Sequence, residues 1–318
     1  MSELKVGLAQ ISPVWLNKKD TLAKTMDYVS MAATEDCHIV GFGEGIVPGY
    51  PFWVMLTDGA KFNDTTQKEM YAHYVKEAVS IEDGDLEAIC ALAADLKIAV
   101  YLGIIEKAGN RGQHSVYASI VYIDQSGHIQ SVHRKLQPTY EERLVWAQGD
   151  GNGLQVHSLN EFTVGGLNCW ENWMPLTRTA LTAQGENLHF AIWPGSPRLT
   201  QDITRFMALE GRSFVASVSG VMKKTDIPEN IPHYDKIMAA APAVLADGGS
   251  CLAGPDGQWL IEPADADEQL LTATIDFDRV LEERHNFDVA GHYSRPDVTK
   301  LEVNRDRQAI ATFSGNRS

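Results

Sequence analysis

Residues 161–184 read EFTVGGLNCWENWMPLTRTALTAQ, and two kinds of secondary structure meet in them. Glu161 to Asn168 is short, apolar and β-branched, the composition of a strand. Pro175 to Gln184 has the pattern of a helix. Cys169 falls where the strand ends and the turn into the helix begins. A thiol on a sharp strand-to-helix turn is exposed, and neighbouring backbone N–H groups are available to receive an oxyanion. The same residue also fits a small buried apolar side chain, as most free cysteines are.

The alternation continues in both directions. Upstream, Lys5 to Ile11, His38 to Phe42 and Ile98 to Ile105 read as strands, with helices predicted over Thr21 to Thr34, Thr65 to Ala78 and Asp85 to Leu96. Ser115 to Ile123 and Ile129 to Arg134 are strands joined by Asp124-Gln125-Ser126-Gly127-His128, a hairpin composition. Downstream come strands at His189 to Trp193, Phe214 to Ser219 and Leu270 to Ile275, and helices at Asp202 to Arg212 and from Asp278 to Arg284. A second hairpin is predicted from Ser250 to Glu262 around Gly254-Pro255-Asp256-Gly257. Strands alternating with helices imply an α/β domain whose sheet is covered by helices. The two hairpins require antiparallel neighbours, so the sheet is expected to be mixed. The 318 residues show no repeat and no linker, which makes 1–318 a single domain, and length alone permits this. The segment 297–318 is polar and weakly periodic, and fits an interface arm or a flexible tail equally.

Composition narrows the partners. The chain is 44% hydrophobic and 22% charged, as globular proteins are, and its net charge is −15. That charge argues against nucleic acid and anionic membranes, both of which reward basic patches. The most apolar stretch, Ala88 to Ile105, is interrupted by Asp95 and Lys97 and is not a membrane span. No basic stretch followed by an apolar run opens the chain, so no secretory leader is expected, and the expected location is cytoplasmic. The four cysteines, Cys37, Cys90, Cys169 and Cys251, are far apart and form no C-x-x-C pair, which fits free thiols in a reducing compartment. Cys37, Cys90 and Cys251 sit in apolar surroundings and read as core. No histidine cluster has metal-ligand spacing, and no glycine-rich loop has phosphate-binding spacing.

Three charged residues compete for attention with Cys169. Glu44 follows an apolar strand in Gly43-Glu44-Gly45, ahead of Pro48-Gly49-Tyr50-Pro51. A carboxylate there is costly unless paired or functional; desolvation raises its pKa and suits it to general-base work, while the plainer reading is a loop cap. Lys135 ends a strand in His133-Arg134-Lys135-Leu136-Gln137-Pro138. Most lysines are solvated, but a held ammonium stabilises developing negative charge. Glu142, in Tyr140-Glu141-Glu142-Arg143, is near enough to aim that ammonium, or is a helix-surface glutamate. Together the four supply nucleophile, base, charge stabiliser and orienting group at one sheet edge.

Three segments resemble the motifs of the nitrilase superfamily of carbon–nitrogen hydrolases, in the family's order. They are Gly41-Phe42-Gly43-Glu44 with Pro48-Gly49-Tyr50-Pro51, then His133-Arg134-Lys135-Leu136 with Pro138-Thr139 and Glu142-Arg143, then Gly166-Leu167-Asn168-Cys169-Trp170-Glu171-Asn172. Met174-Pro175-Leu176, Trp146 with Gly149-Asp150-Gly151, Trp193-Pro194 and Asp288 to Pro296 resemble the nitrilase branch itself. Gly43 stands where the family is expected to have proline, and Asn168 where Ile, Val or Gln is commoner. The resemblance implies a four-layer α-β-β-α sandwich and a homodimer that grows into larger spirals. It implies hydrolysis of a small-molecule nitrile to acid and ammonia through a covalent thioimidate, with Glu44, Lys135, Glu142 and Cys169 catalytic and no metal or cofactor. Tyr50, Trp146, Trp170 and Trp193 are the candidate pocket walls, from their nearness to the motifs. The same groups also suit an amidase or a cyanide-hydrolysing relative. A non-catalytic assembly protein on this fold is disfavoured by the presence of all four.

Overall fold

A computed structural model of the chain describes residues 2–112, 114–311 and 314. Its strands, in chain order, begin with β1 (Glu3–Gln10), β2 (Ile39–Phe42), β3 (Ala99–Lys107), β4 (Val116–Ile123) and β5 (Ile129–Arg134). Then come β6 (His157–Leu159), β7 (Phe162–Asn168), β8 (Leu188–Trp193) and β9 (Phe214–Ser219). A small ribbon of β10 (Val221–Lys223) and β11 (Val244–Asp247) precedes β12 (Cys251–Ala253), β13 (Trp259–Ile261) and β14 (Gln269–Asp276).

These strands make two six-stranded mixed sheets rather than one. The first has the order β14-β1-β2-β3-β4-β5, the second β13-β12-β9-β8-β7-β6. Each has three parallel strands at its heart, β1-β2-β3 and β7-β8-β9, with antiparallel strands on both sides. Read from the opposite end, the second sheet repeats the topology of the first. The inner faces pack on one another through alternating residues of each strand, as period-two side-chain placement requires. Leu4, Val6, Leu8, Tyr101 and Ile120 of the first sheet share a core with Phe162, Val164, Phe190, Ile192 and Val218 of the second.

Helices cover the outer faces. α1 (Lys18–Thr34) and α4 (Glu87–Leu96) pack on the first sheet, and α5 (Pro175–Thr182) and α6 (Pro197–Gly211) on the second. The result is the α-β-β-α sandwich. α2 (Trp53–Leu56), α3 (Thr65–Glu77) and α7 (Tyr234–Ala240) gather at one end around Trp15, Tyr74 and Trp146, and α8 (Phe277–Asn286) follows β14. α6 begins five residues earlier than predicted, because Pro197 opens it at the first turn, where a missing N–H costs nothing. Among the described residues no helix is long and apolar enough to cross a membrane.

The segment 297–318 begins exposed, but Leu301 and Val303 pack beside Leu154 and Leu181 of the same chain. Arg307 pairs with Asp150 at 2.9 Å, and the Gln308 N–H donates to the same carboxylate. Residues 301–308 therefore lie as a strap against the rest of the chain.

Candidate active site

The ends of β2, β5 and β7 meet at one edge of the sandwich. Glu44 stands two residues past β2, and its N–H donates to the Trp193 carbonyl at the end of β8, 3.0 Å away, which ties it to the opposite sheet. Lys135 immediately follows β5. Its N–H donates to the Ala118 carbonyl, and its own carbonyl accepts from the Gly149 N–H, both at 2.8 Å. Glu142 lies in a 3-10 turn over Tyr140–Leu144 and is buried, not on a helix surface. Cys169 opens a second 3-10 turn, Cys169–Trp173, with φ of 48°. That left-handed conformation is uncommon for any residue with a side chain and marks the sharp elbow between β7 and α5.

All four side chains are buried to within 2% of complete. The Lys135 ammonium sits 2.8 Å from Glu44 Oε1 and 2.6 Å from Glu142 Oε2. The cysteine sulfur and one oxygen of each carboxylate lie within 4.8 Å of one another. Those three groups have the donor set of a metal site, but Lys135 already supplies a cation at hydrogen-bonding distance from both carboxylates. Glu142 also accepts from the Thr139 N–H at 2.6 Å and from the Tyr50 hydroxyl at 2.8 Å. Among the described residues Glu44 makes no aligned hydrogen bond beyond its ion pair.

The electrostatics follow from one ammonium facing three acidic groups. Burial pushes the Glu44 carboxyl up to about 8, against the pull of Lys135, and Glu142 adds to the rise. Burial alone would lower the Lys135 ammonium, but Cys169, Glu44 and Glu142 outweigh it and hold the group above its ordinary value. Burial also raises the Cys169 thiol well above normal, opposed by Lys135 and by the Trp170 N–H directed at the sulfur. Burial thus raises the proton affinity of both the thiol and the carboxyl, and Lys135 lowers that of each.

Glu171, quoted in the sequence motif without a role, clasps two of the motifs together. Its carboxylate accepts from the Asn168 N–H at 3.0 Å and the Leu136 N–H at 2.7 Å, and contacts His133 Nε2 at 3.0 Å. Burial opposes ionisation, but His133 holds Glu171 below the usual carboxylate range. The spacing Asn168-x-x-Glu171 is a capping signature that was open to reading in the sequence. Of the four aromatic residues expected around the site, Tyr50 bonds Glu142 and meets Trp146 edge-on at 5.4 Å, and Trp146 lies under the Lys135 ammonium at 5.3 Å. Trp193 is wholly buried, donates to the Ser217 hydroxyl and packs in a cluster with Cys169. Trp170 is 46% exposed beside Trp173.

The chain matches the family model described as carbon-nitrogen hydrolase over residues 5–284. It is 32% identical over 313 residues to a protein named Nitrilase 2 from an unknown prokaryotic organism, covering 98% of this chain and 96% of that one. An aliphatic nitrilase of Rhodococcus rhodochrous is 33% identical over 313 residues, covering 95% of this chain and 79% of that one. An arylacetonitrilase of Aspergillus niger is 32% identical over 321 residues, covering 95% and 92%. The solved structure of an amidase from Nesterenkonia sp. shares the fold, with a TM-score of 0.64, 18% identity, and coverage of 89% of this chain and 94% of that one. The chain belongs to the carbon–nitrogen hydrolase family.

Proposed function

We propose that the protein is a nitrilase, converting a small organic nitrile to a carboxylic acid and ammonia with Cys169 as nucleophile. The observation that carries this reading is the buried convergence of Cys169, Glu44 and Glu142 around the Lys135 ammonium. Relatives named nitrilases, alike along nearly the whole chain, favour nitrile over amide as the substrate.

In this mechanism the ionised form of Glu44, whose share grows as pH rises toward 8, takes the thiol proton of Cys169, and the sulfur adds to the nitrile carbon. The new C–S bond leaves a thioimidate whose nitrogen receives a proton at the site. Lys135 and the Trp170 N–H stabilise the charge that develops. Water delivered by Glu44 adds to the thioimidate carbon, ammonia leaves, and an acyl-thioester remains. A second water releases the acid and restores the thiol. Division into covalent steps replaces one slow hydrolysis by several faster ones. Glu142, which holds both Lys135 and Tyr50, keeps the ammonium aimed at the reacting atoms.

The test is ammonia release from aliphatic, aromatic and dinitrile substrates beside their matched amides, with C169A as the control. Release from nitriles, lost in C169A while the folded state persists, is the expected outcome. Release mainly from amides would assign the same machinery to an amidase, and substantial residual turnover in C169A would remove Cys169 as the nucleophile.

The proposal includes a cytoplasmic location, which the free thiols suit, and self-association as a homodimer or larger spiral. Trp173 at the end of the Cys169 turn, Met174 after it, Leu176 on α5 and Phe206 on α6 are solvent-exposed, the kind of apolar surface that a second copy covers. A monomeric mass by light scattering would overturn the association.

A further inference from the structure

Cys169 lies in a backbone region that a residue with a side chain occupies only when its surroundings hold it there. The principal hold comes from Asn172, three residues on and wholly buried. Its Nδ2 donates to the Leu167 carbonyl at 3.2 Å and to the Cys169 carbonyl at 2.8 Å. Both partners are acceptors only, so the amide orientation is determined and Asn172 Oδ1 must accept. It faces His189 Nε2 at 2.8 Å, which makes His189 the donor. The other ring nitrogen, Nδ1, is 2.8 Å from Glu186 Oε1, and all three side chains are buried. Arg178 completes the arrangement by donating to the Asn172 carbonyl.

The carbonyl that Asn172 grips belongs to the peptide unit between Cys169 and Trp170. A peptide unit is planar, so its C=O and N–H cannot turn separately. Holding the Cys169 oxygen therefore also fixes the direction of the Trp170 N–H. His189 sits on β8, in register with Gly165 of β7, and brings the rigidity of the central sheet to that one peptide.

We propose that His189, acting through Asn172, is a positioning residue that locks the Cys169–Trp170 peptide and so aims both the nucleophilic sulfur and the oxyanion donor. The inference rests on the reading of Cys169 as nucleophile. Its consequence is a separation of rate from stability, because the two ring nitrogens serve different partners. The amide nitrogen of glutamine reaches where Nε2 does, and that of asparagine where Nδ1 does. H189Q keeps the bond to Asn172 and abandons Glu186, whereas H189N keeps Glu186 and abandons Asn172.

The experiment measures kcat, KM and denaturant midpoint for both variants, together with the rate of Cys169 alkylation by iodoacetamide, read by peptide mapping. H189N should lose about 100-fold in kcat with little change in KM and should alkylate more slowly, the scale of a misplacement of about 1 Å at a reacting centre. H189Q should lose less than about 10-fold in kcat although it is the less stable of the two, since it leaves a buried carboxylate unpaired. Activity that instead follows stability, with H189Q the poorer enzyme, would overturn the proposal, as would wild-type kcat and alkylation in H189N. If the unmodified protein releases no ammonia from nitriles or amides, the proposed function fails, and the alkylation rates still decide the role of His189.

Discussion

Glu44 pairs with a lysine and still holds its proton to about 8, because complete burial outweighs the ion pair. The unfolded chain gives up that proton near 4.5, the ordinary value of the group. Between those values the folded protein binds more protons than the unfolded chain. The contribution of Glu44 to stability is therefore greatest below 4.5 and is lost progressively as pH rises toward 8. E44Q removes this dependence. Urea midpoints measured from about pH 5 to about pH 8 should shift steadily in favour of E44Q relative to the unmodified protein. A constant difference across the range would mean that the folded state ionises Glu44 like an exposed carboxylate. At this scale the four candidate residues that the structure brings together were legible in the sequence, because each charged one followed an apolar strand or lay in the next loop. The supporting bonds were not. That Tyr50 donates to Glu142, or His189 to Asn172, depends on contacts across 92 and 17 residues for which no local pattern exists.

Elements make the site through a close approach of two strand ends that only glycine permits. A Cβ on Gly43 would lie 2.9 Å from the Gly220 nitrogen and 3.0 Å from the Trp193 oxygen, and one on Gly103 would overlap the Gly43 carbonyl. Proline, expected at position 43 from the family resemblance, has a Cβ that this contact would crowd. G43A should therefore destabilise by about 1–3 kcal/mol, the usual cost of overpacking, and should lower kcat, since the next residue is the proposed base. Its urea midpoint and kcat together check this; an unchanged midpoint would show that the two loops part without cost. The strands themselves were readable from short apolar runs and from two hairpin turns. Their partition into two sheets was not read from those patterns. β14 pairs with β1 across nearly the whole chain, and the pairing of Val6 with Ala273 leaves no mark on either strand. The β10–β11 ribbon and α7 were missed because the two strands have only three and four residues, Pro228, Pro232 and Pro242 interrupt the stretch between them, and α7 buries only Ile237 of its seven residues.

Across the whole molecule, the C-terminal strap connects the far end of the chain to the site. Arg307 donates to Asp150 at 2.9 Å and to the Val132 carbonyl at 2.9 Å, and the Gln308 side chain donates to the Gly149 carbonyl. Gly149 in turn donates to the carbonyl of Lys135. The sequence showed both ends of this connection, a Gly149-Asp150-Gly151 motif and a polar tail, without indicating that they meet, because a strap held by a few polar bonds has no periodicity. Asp150 is almost wholly buried and Arg307 about a quarter exposed, so the pair is intermediate between a surface and a core ion pair. R307A leaves the Asp150 carboxylate with only N–H donors and should lower stability by about 1–3 kcal/mol, less than the loss of a fully buried partner. It should also lower kcat, because the loop that grips the Lys135 main chain is loosened, while KM changes less. D150N, which keeps an acceptor for Arg307 but removes the charge, should fall between R307A and the unmodified protein in both measurements. Equal urea midpoints for all three would mean that the strap is not held against the rest of the chain in solution. Reduced midpoints with unchanged kcat would confine its role to stability and leave Lys135 to be held by Ala118, Glu44 and Glu142.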